Sequence, residues 1–418
     1  MPELYEIKEE IERVILVAVA MNDGDDTEES LDELEELVKT AGAITVGKVI
    51  QNRESMHPGT YIGKGKIGEV AELMQSLDAT GIICDDELSP AQLKNLEDAL
   101  QAKVMDRTMI ILDIFAQRAS TREGKIQVEL AQLKYRSTRL IGMRNSLSRL
   151  GGGIGTRGPG EKKLEIDRRL IKDRITQLNH ELNEVKKNRE VARSLRSKNP
   201  IPVVAIVGYT NAGKSTLLNQ LTNAGVLEED KLFATLDPTT RNYTLESGQQ
   251  VLFTDTVGFI RKLPHHLIEA FRSTLEEAKY ADIILHVVDV SNKAVYKQMH
   301  IVYETLKQLE VKDKTIITVF NKQDKNIENV VIKDLKADKT VKISAKTKAG
   351  ISDLLQVLED VLREQKVLIE QVFTFGEAGK IQVIRKYGQL LEEEYRAEGI
   401  YVKAYMPKDV YLGLETKK

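Results

Sequence analysis

The chain has 418 residues, of which 41% are hydrophobic, and its 61 Lys/Arg against 64 Asp/Glu give a formal net charge of −3. That length exceeds what one compact core accommodates and predicts about two to four domains. A lone cysteine, Cys84, excludes an internal disulfide, no apolar run approaches the roughly 20 residues of a membrane span, and the acidic N-terminus does not resemble a signal peptide. We therefore expect a cytoplasmic protein, for which association with a membrane surface stays open.

Residues 1–110 predict a small α/β domain. Apolar runs predict strands over Val14–Met21, Ala43–Gln51 and Thr80–Cys84, and amphipathic runs predict helices over Leu31–Thr40, Ile67–Leu77 and Pro90–Leu100. This alternation is typical of a largely parallel sheet. The run Gly63–Gly68 fits the dinucleotide-binding pattern G-x-G-x-x-G, with Asp85 and Asp86 downstream, so a second nucleotide site stays open. The alternative is a flexible basic loop that contacts RNA.

Residues 111–198 predict a helical hairpin. Apolar residues recur every seven positions, the spacing of a coiled-coil seam, at Ile126, Leu133, Leu140 and Leu147 and then at Leu164, Ile171, Leu178, Val185 and Ala192. The glycine-rich run between them, residues 151–160, cannot continue a helix and predicts a tip loop. From Lys134 to Arg196 there are 17 Lys/Arg against 7 Asp/Glu, an excess that suits a polyanion such as nucleic acid. The alternative is a structural coiled coil with a solvated basic face.

Residues 199–365 predict a nucleotide-binding domain with a parallel, doubly wound sheet. The run Gly208–Ser215 matches G-x-x-x-x-G-K-[ST] after the apolar strand Val203–Val207 and before a helix. In such a P-loop the backbone amides face phosphate oxygens, Lys214 reaches the β- and γ-phosphates, and the Ser215 hydroxyl ligates Mg²⁺. The predicted phosphate-binding residues are Gly208, Tyr209, Thr210, Asn211, Ala212, Gly213, Lys214, Ser215 and Thr216.

Three further motifs follow in order, each after a predicted strand. In Asp255-Thr256-Val257-Gly258 the carboxylate can hold Mg²⁺ through water, and the glycine amide can meet the γ-phosphate. In Asn321-Lys322-Gln323-Asp324 the aspartate can accept from two N–H groups of guanine, a pattern that adenine lacks. Ser344-Ala345-Lys346 completes the base pocket. Together these motifs predict an enzyme that binds and hydrolyses GTP with Mg²⁺.

The segment before Asp255 predicts the switch threonine. A threonine must complete the Mg²⁺ shell while γ-phosphate is present, and spacing alone does not choose among Thr235, Thr239 and Thr240. GTP contacts are expected from Phe233, Ala234, Thr235, Leu236 and Asp237. Phe259 occupies the position of the glutamine that orients water in Ras-like enzymes. This predicts slow intrinsic hydrolysis that a partner accelerates. Arg241 could stabilise the charge that develops during hydrolysis; the alternative is that it is an exposed residue in a salt bridge.

Residues 366–418 predict a small α+β domain, in which strands Val367–Phe373 and Ile400–Tyr405 flank a helix from Lys380 to Ala397. The fold class expected for the whole chain is therefore α/β. It comprises a P-loop domain preceded by a small α/β domain and a long helical hairpin, and followed by this α+β unit. A monomer is expected.

Over nearly its whole length the chain resembles the HflX family of translation-associated GTPases. The residues that carry the resemblance are Phe233–Arg241, Asp255–Pro264, Ala270–Glu277, Asp113–Ala119 and Gly152–Glu161. The resemblance implies that Thr235 is the switch threonine that binds Mg²⁺, which makes Lys214, Thr235 and Gly258 the expected catalytic residues. It also implies a large-subunit ribosomal partner and a role in ribosome splitting, rescue or subunit biogenesis.

The hairpin is the element expected to reach rRNA. The predicted contacts are Arg149, Gly151, Gly152, Gly153, Arg157, Lys162, Lys163, Arg168 and Arg169. Two alternative functions stay open. One is an ATP-dependent RNA-remodelling enzyme that uses the N-terminal domain as a second motor. The other is an rRNA-binding assembly factor that does not split ribosomes.

Overall fold

The structure is a computed structural model. It describes residues 11–21, 26–148, 159–196, 201–222, 232–233, 236–264, 267, 277–325, 331–364, 366–407 and 410–412, without the side chains of residues 140–148, 159–164 and 189–196. The chain forms two compact units. The first unit comprises Met1–Lys187 with Glu228–Asp237 and Val257–Leu275, and the second comprises Asn188–Leu227, Pro238–Thr256 and Glu276–Lys418.

The first unit begins with a four-stranded parallel sheet of order β2-β1-β3-β4. Its strands are β1 (Arg13–Ala20), β2 (Ile44–Asn52), β3 (Gly81–Cys84) and β4 (Lys103–Asp106). The helices that follow the strands are α1 (Thr27–Ala41), α2 (Lys64–Ser76), α3 (Pro90–Leu100) and α4 (Arg107–Arg118). Six consecutive residues of β1, Val14 to Val19, are buried, as expected of a strand covered on both faces. The predicted parallel α/β fold is confirmed.

Helix α4 extends beyond the predicted domain boundary at residue 110. The Asp106 side chain caps the helix by accepting from the Met109 backbone N–H at 2.9 Å. Ile111, Ile114 and Phe115 are buried, so α4 belongs to the core of the N-terminal unit. No glycine or proline separates β4 from α4, so the sequence carries no local signal of the boundary between this short strand and the helix.

Two long helices, α5 (Arg122–Ser148) and α6 (Pro159–Arg196), follow α4. Ile126, Leu130 and Leu133 of α5 pack in one cluster with the α6 residues Ile175, Leu178 and Leu182. Arg122 of α5 lies 3.8 Å from Glu181 of α6, whereas Glu129, later on α5, pairs with Arg174, earlier on α6, at 2.7 Å. The two arms are therefore antiparallel there, and the predicted seam is confirmed at these positions. No helix in the described part of the chain combines the length and apolarity that a bilayer crossing requires.

The second unit contains a six-stranded sheet of order β10-β9-β8-β5-β7-β6, parallel except for the β6–β7 pair. Its strands are β5 (Val203–Gly208), β6 (Thr239–Thr244), β7 (Gln250–Asp255), β8 (Ile283–Asp289), β9 (Thr315–Asn321) and β10 (Lys339–Lys342). Its helices are α7 (Lys214–Thr222), α8 (Glu277–Tyr280), α9 (Val295–Gln308) and α10 (Ile351–Glu364).

Helices cover both faces of this sheet. Val287 of β8 belongs to an apolar cluster with Leu217 of α7 and Leu358 of α10. Its neighbour Val288 belongs to a different cluster, with Met299 of α9. Successive strand residues point to opposite faces, so α7 and α10 lie on one face and α9 on the other. The predicted doubly wound architecture is confirmed.

The chain ends in a three-stranded antiparallel sheet of order β11-β13-β12, formed by β11 (Lys366–Phe373), β12 (Gln389–Arg396) and β13 (Gly399–Pro407). Its helix α11 (Ala378–Tyr387) is shorter than predicted. The helix predicted from Lys380 to Ala397 was wrong in its second half, because residues 389–396 form β12 and pair with β13. The Glu-rich run Glu392–Glu394 favours a helix by propensity, and pairing with β13 overrides that preference. The predicted α+β class of this region is confirmed.

Candidate functional site

The phosphate-binding loop follows β5, one of the two middle strands of the six-stranded sheet. A Cβ on Gly208 would overlap the Val287 carbonyl oxygen of β8, and one on Gly213 would overlap the Asn321 amide. Gly213 also has a φ of +93°, a left-handed conformation that side chains rarely adopt. The loop can therefore lie this close to β8 and β9 only with glycine at these two positions. It leads into α7 at Lys214, which leaves the first amides of that helix without intrahelical acceptors.

Asn321 connects three of the predicted motifs. Its side chain is 2% exposed; its Nδ2 donates to the Ala212 carbonyl and its Oδ1 accepts from the Ala345 N–H, both at 2.9 Å. A single buried amide therefore joins the phosphate loop, the end of β9 and the 344–346 segment. The second unit thus brings together Gly208–Thr216, Asp255–Thr256, Asn321–Asp324 and Ser344–Lys346, four groups that are far apart in sequence.

Lys214 carries a buried ammonium group at the start of α7. Its Nζ donates to the Tyr209 carbonyl at 2.8 Å, and its residue is 7% exposed. Burial lowers the pKa of Lys214 to about 8, with Asp255 opposing this shift and Lys322 adding to it. A poorly solvated cation held against a loop of amide donors is suited to attract phosphate oxygens.

Ser215 and Asp255 form an oxygen pair beside Lys214. The Ser215 hydroxyl donates to Asp255 Oδ2 at 2.8 Å, and Asp255 is fully buried at the end of β7. Thr256, the next residue, donates from its hydroxyl to the Ile206 carbonyl of β5 at 2.8 Å, which holds the end of β7 in place. A hydroxyl and a carboxylate are hard oxygen donors of the kind that Mg²⁺ prefers, so these residues fit the predicted metal.

Asp324 lies at the base end of the site, on the exposed side of the turn after β9. The Ser344 hydroxyl donates to its Oδ1 at 2.6 Å. That hydrogen bond is the main cause that lowers the pKa of Asp324. The preceding Lys322, whose φ is +64°, is held by an ion pair with Asp289 at 2.8 Å. The Asp324 carboxylate is therefore kept ionised, and an ionised carboxylate only accepts hydrogen bonds.

Several predicted site residues belong to the first unit. These are Phe233, Leu236, Asp237, Val257 and Gly258. Here the Phe233 ring packs edge-on against Phe115 of α4 at 4.7 Å. Asp237 accepts from the backbone and hydroxyl groups of Ser120 and Thr121 at 2.5–3.0 Å. The Asp237 carboxylate is thus engaged at the start of α5, a contact that no sequence motif indicated.

The pKa of Asp237 reflects these contacts. Burial favours the protonated acid, but the hydrogen bonds from Thr121 and Ser120 outweigh it and lower the pKa. Ala234 and Thr235 lie outside the described residues, as do the predicted RNA contacts Arg149, Gly151, Gly152, Gly153 and Arg157. Lys162 and Lys163 lie on α6, where only the backbone is described, and Arg168 and Arg169 are exposed on the same helix.

The dinucleotide-like run at Gly63–Gly68 takes a different form from a tight strand-to-helix turn. Strand β2 ends at Asn52 and α2 begins at Lys64, so eleven residues lie between them. In the dinucleotide-binding pattern a downstream carboxylate accepts from the ribose. Asp85, the first of the two downstream aspartates, is fully buried and paired with Arg107 at 2.8 Å. It is therefore not exposed for binding a ribose.

The site has the features of a P-loop GTPase. They are a glycine-constrained loop before a helix, a buried lysine, a Ser–Asp oxygen pair and an exposed aspartate after β9. Three family models match consecutive parts of the chain. They are described as GTP-binding GTPase N-terminal, over residues 28–116, GTP-binding GTPase Middle Region, over residues 118–196, and 50S ribosome-binding GTPase, over residues 203–322.

Curated relatives match nearly end to end. GTPase HflX of Lacrimispora saccharolytica is 68% identical and covers 99% of this chain and 98% of its own length. GTPase HflX of Caldanaerobacter subterraneus subsp. tengcongensis is 49% identical, with 96% and 92% covered. GTPase HflX of Escherichia coli is 44% identical, with 84% and 83% covered. The chain belongs to the HflX family of GTPases, and it binds and hydrolyses GTP.

Proposed function

We propose that this chain is a Mg²⁺-dependent GTP switch whose nucleotide state gates its binding to the large ribosomal subunit, in ribosome splitting, rescue or subunit biogenesis. The observation that carries the proposal is the basic hairpin of α5 and α6. The family model matched by residues 203–322, described as a 50S ribosome-binding GTPase, supports the same partner.

The hairpin combines rigidity with exposed positive charge. Its apolar seam is closed by Leu178 and Leu182, which are 1% and 7% exposed, and Arg174 of α6 pairs with Glu129 of α5 at 2.7 Å. Arg168 and Arg169 instead point to solvent. Guanidinium groups bind phosphate oxygens in a fixed geometry, so a stiff arm with exposed arginines suits an RNA-lined space.

Ser215 and Thr235 are proposed as direct Mg²⁺ ligands, with Asp255 binding through water. When bound, Mg²⁺ would neutralise charge that develops on the phosphates during hydrolysis. Thr240 Oγ1 lies 2.9 Å from Thr254 Oγ1 across the β6–β7 ladder, and Thr239 is paired opposite Asp255. These two threonines belong to a regular strand, which supports Thr235 as the threonine that binds and releases the metal.

Co-sedimentation with purified ribosomal subunits tests the proposal. We expect the chain to sediment with the large subunit in a non-hydrolysable GTP analogue and to bind at least about tenfold more weakly in GDP, a coupling of ordinary size. The double variant Arg168→Glu with Arg169→Glu should bind the large subunit more weakly, and its affinity should depend less steeply on salt concentration. Each phosphate contact that is lost lowers the number of counterions released on binding.

A matched charge change separates a specific contact from bulk attraction. Lys293→Glu with Lys312→Glu alters the same number of charges at exposed positions of the second unit and should leave binding nearly unchanged. Equal binding of the wild type to the large subunit in both nucleotide states would contradict the switch model. Binding that the Arg168/Arg169 variant retains in full would favour a solvated coiled coil. Switch-dependent binding without subunit dissociation would indicate an assembly factor.

A further inference from the structure

The carboxyl ends of β1 and β3 form an acidic crevice in the first unit. In the order β2-β1-β3-β4, β2 lies on one side of β1, whereas β3 and β4 lie on the other side. Strands β1 and β3 therefore flank the point where the strand order reverses. Ligands bind at such points in open parallel sheets. The acidic crevice is formed by Asp26 and Glu29 after β1, Glu33 on α1, and Asp85 and Asp86 after β3.

Two consecutive cations from the segment after Gly258 fill the acidic crevice. Lys262 Nζ lies 2.6 Å from Asp85 Oδ2 and 2.7 Å from Asp86 Oδ1. Arg261 donates to Asp26 Oδ2 at 2.5 Å, and its side chain is only 12% exposed. Lys262 adopts a φ of +54°, a conformation that a lysine keeps only where its surroundings hold it. The crevice therefore binds an adjacent guanidinium and ammonium pair.

Asp85 is a fixed anion within this crevice. It accepts from Arg107 at 2.8 Å and from the Ser30 hydroxyl at 2.7 Å. Burial disfavours its charge, but Arg107 and Lys262 outweigh that effect and lower the pKa of Asp85. Arg107 also pairs with Glu33 at 2.7 Å. Without Lys262 the carboxylates of Asp85, Asp86 and Glu33 would face the single guanidinium of Arg107, so the Lys262 cation reduces the excess of negative charge in this cluster.

Arg107 is preceded by Asp106, which fastens the hairpin to the same sheet. Asp106 accepts from the Tyr135 hydroxyl at 2.7 Å and from Arg139 at 2.6 Å, both on α5. The Arg139 guanidinium stacks 3.1 Å above the Tyr135 ring. All three side chains are buried. Two adjacent residues at the junction of β4 and α4 thus bind different partners. Arg107 binds Asp85, which Lys262 contacts, and Asp106 binds the first arm of the hairpin.

We propose that Lys262, Asp85, Arg107, Asp106 and Arg139 form a polar relay that couples the segment after Gly258 to the hairpin arm α5. Gly258 precedes Lys262 by four residues, and a nucleotide-dependent displacement of Gly258 must strain or release the Lys262 contacts. Release leaves the carboxylates of Asp85, Asp86 and Glu33 in excess over the Arg107 guanidinium, which favours a shift of the Asp106-Arg107 junction. Asp85 is then a positioning residue that acts through Lys262.

The relay rests on the part of the proposed function in which nucleotide state moves the segment after Gly258, and not on ribosome binding. It makes the hairpin sensitive to nucleotide in the isolated protein. Because coupling between two sites is reciprocal, a polyanion that pulls on the hairpin would in turn alter the affinity for nucleotide.

Hydrogen exchange of the full chain, without ribosomes, tests the relay. We expect the backbone amides of residues 130–140 to exchange at rates that differ by about fivefold or more between GDP and a non-hydrolysable GTP analogue. In Lys262→Met the two rates should become equal, and Lys262→Arg should restore the difference. Arg139→Met should abolish the difference from the other end of the relay, and Arg139→Lys should restore part of it.

The matched control is Lys279→Met, which removes a surface lysine paired with Glu310 at 3.0 Å and should keep the wild-type difference. If Arg139→Met fails to fold, the Lys262 variants decide, since that side chain is 40% exposed. Equal rates in the wild type, or a wild-type difference in Lys262→Met, would overturn the relay. Neither result depends on whether the chain co-sediments with large subunits, so the two proposals fail separately.

Discussion

At the residue scale, two residues of the motif Asn321–Asp324 have different roles in the nucleotide site. Asn321 is buried and uses both ends of its amide to join Ala212 and Ala345. Asp324, three residues later, is exposed at the turn and held ionised by Ser344. Asn321 therefore holds the segments of the site together, and Asp324 is the residue available to accept hydrogen bonds from the base. Sequence alone predicts that both belong to a guanine pocket, and the structure assigns the internal bridge to Asn321.

Asp324→Asn should weaken GTP binding by about 10- to 150-fold, the range of a lost hydrogen bond to a charged group. The amide would turn an N–H toward the N–H donors of guanine, whereas it can donate to the second carbonyl of xanthine. We therefore expect xanthosine triphosphate to bind the variant better than GTP does, as measured by displacement of a fluorescent nucleotide.

Asp353→Asn, at an exposed position of α10, is the matched control and should leave GTP binding unchanged. Activity of Asp324→Asn that persists with ATP would contradict the guanine assignment and favour an ATP-driven RNA-remodelling enzyme.

At the element scale, the hairpin is held by a short apolar seam. The cluster contains three residues from each arm, and Leu178 is its most buried member on α6. Leu170 lies on the same helix with 61% exposure. Two leucines in one helix thus differ almost only in burial, which allows the contribution of the seam to be measured.

Leu178→Ala should lower the free energy of unfolding of the first unit by about 2–5 kcal/mol, through lost burial and the cavity that remains. Leu170→Ala should change it by less than about 0.5 kcal/mol. Urea unfolding followed by helix circular dichroism measures both. Similar losses for the two variants would show that the arms are not closed by this seam.

Elements with strong local patterns were predictable, and those decided by distant partners were not. The buried run of β1, the alternation around it and the seven-residue seam all follow periodicities that a single stretch of sequence displays. Strand β4 has only four residues and carries no periodicity of its own. Strand β12 contradicts its own helix propensity because Gly388 ends α11 and β13 supplies a pairing partner.

For the whole molecule, the unexpected feature is that the first unit includes Glu228–Asp237 and Val257–Leu275. Motif spacing predicts that these segments flank the nucleotide motifs, and it cannot predict what they pack against. Arg261 and Asp26 are 235 residues apart in sequence, and Lys262 and Asp85 are 177 apart. Ion pairs at such separations leave no local pattern in the sequence, so the acidic crevice and the two cations in it could not be predicted from the sequence.

Hydrolysis of GTP should depend on a partner. Phe259 is 1% exposed and its ring has no group that could orient the attacking water. We expect slow turnover by the isolated chain and at least about a tenfold increase with purified large subunits, a modest fraction of the stimulation that partner proteins give other GTPases. Small subunits serve as the control. Fast turnover by the isolated chain would refute this hypothesis.

The discontinuous make-up of the first unit has a consequence for how the chain is made. During synthesis Asp85 emerges 177 residues before Lys262, an interval of about 9–35 s at roughly 5–20 residues per second. Throughout that time the nascent sheet carries Asp26, Asp85 and Asp86 before Arg261 and Lys262 have been made, and Arg107 is the cation of this cluster that is already present. The N-terminal unit therefore reaches its final charge balance only after the phosphate-binding loop and Asp255–Gly258 have been translated.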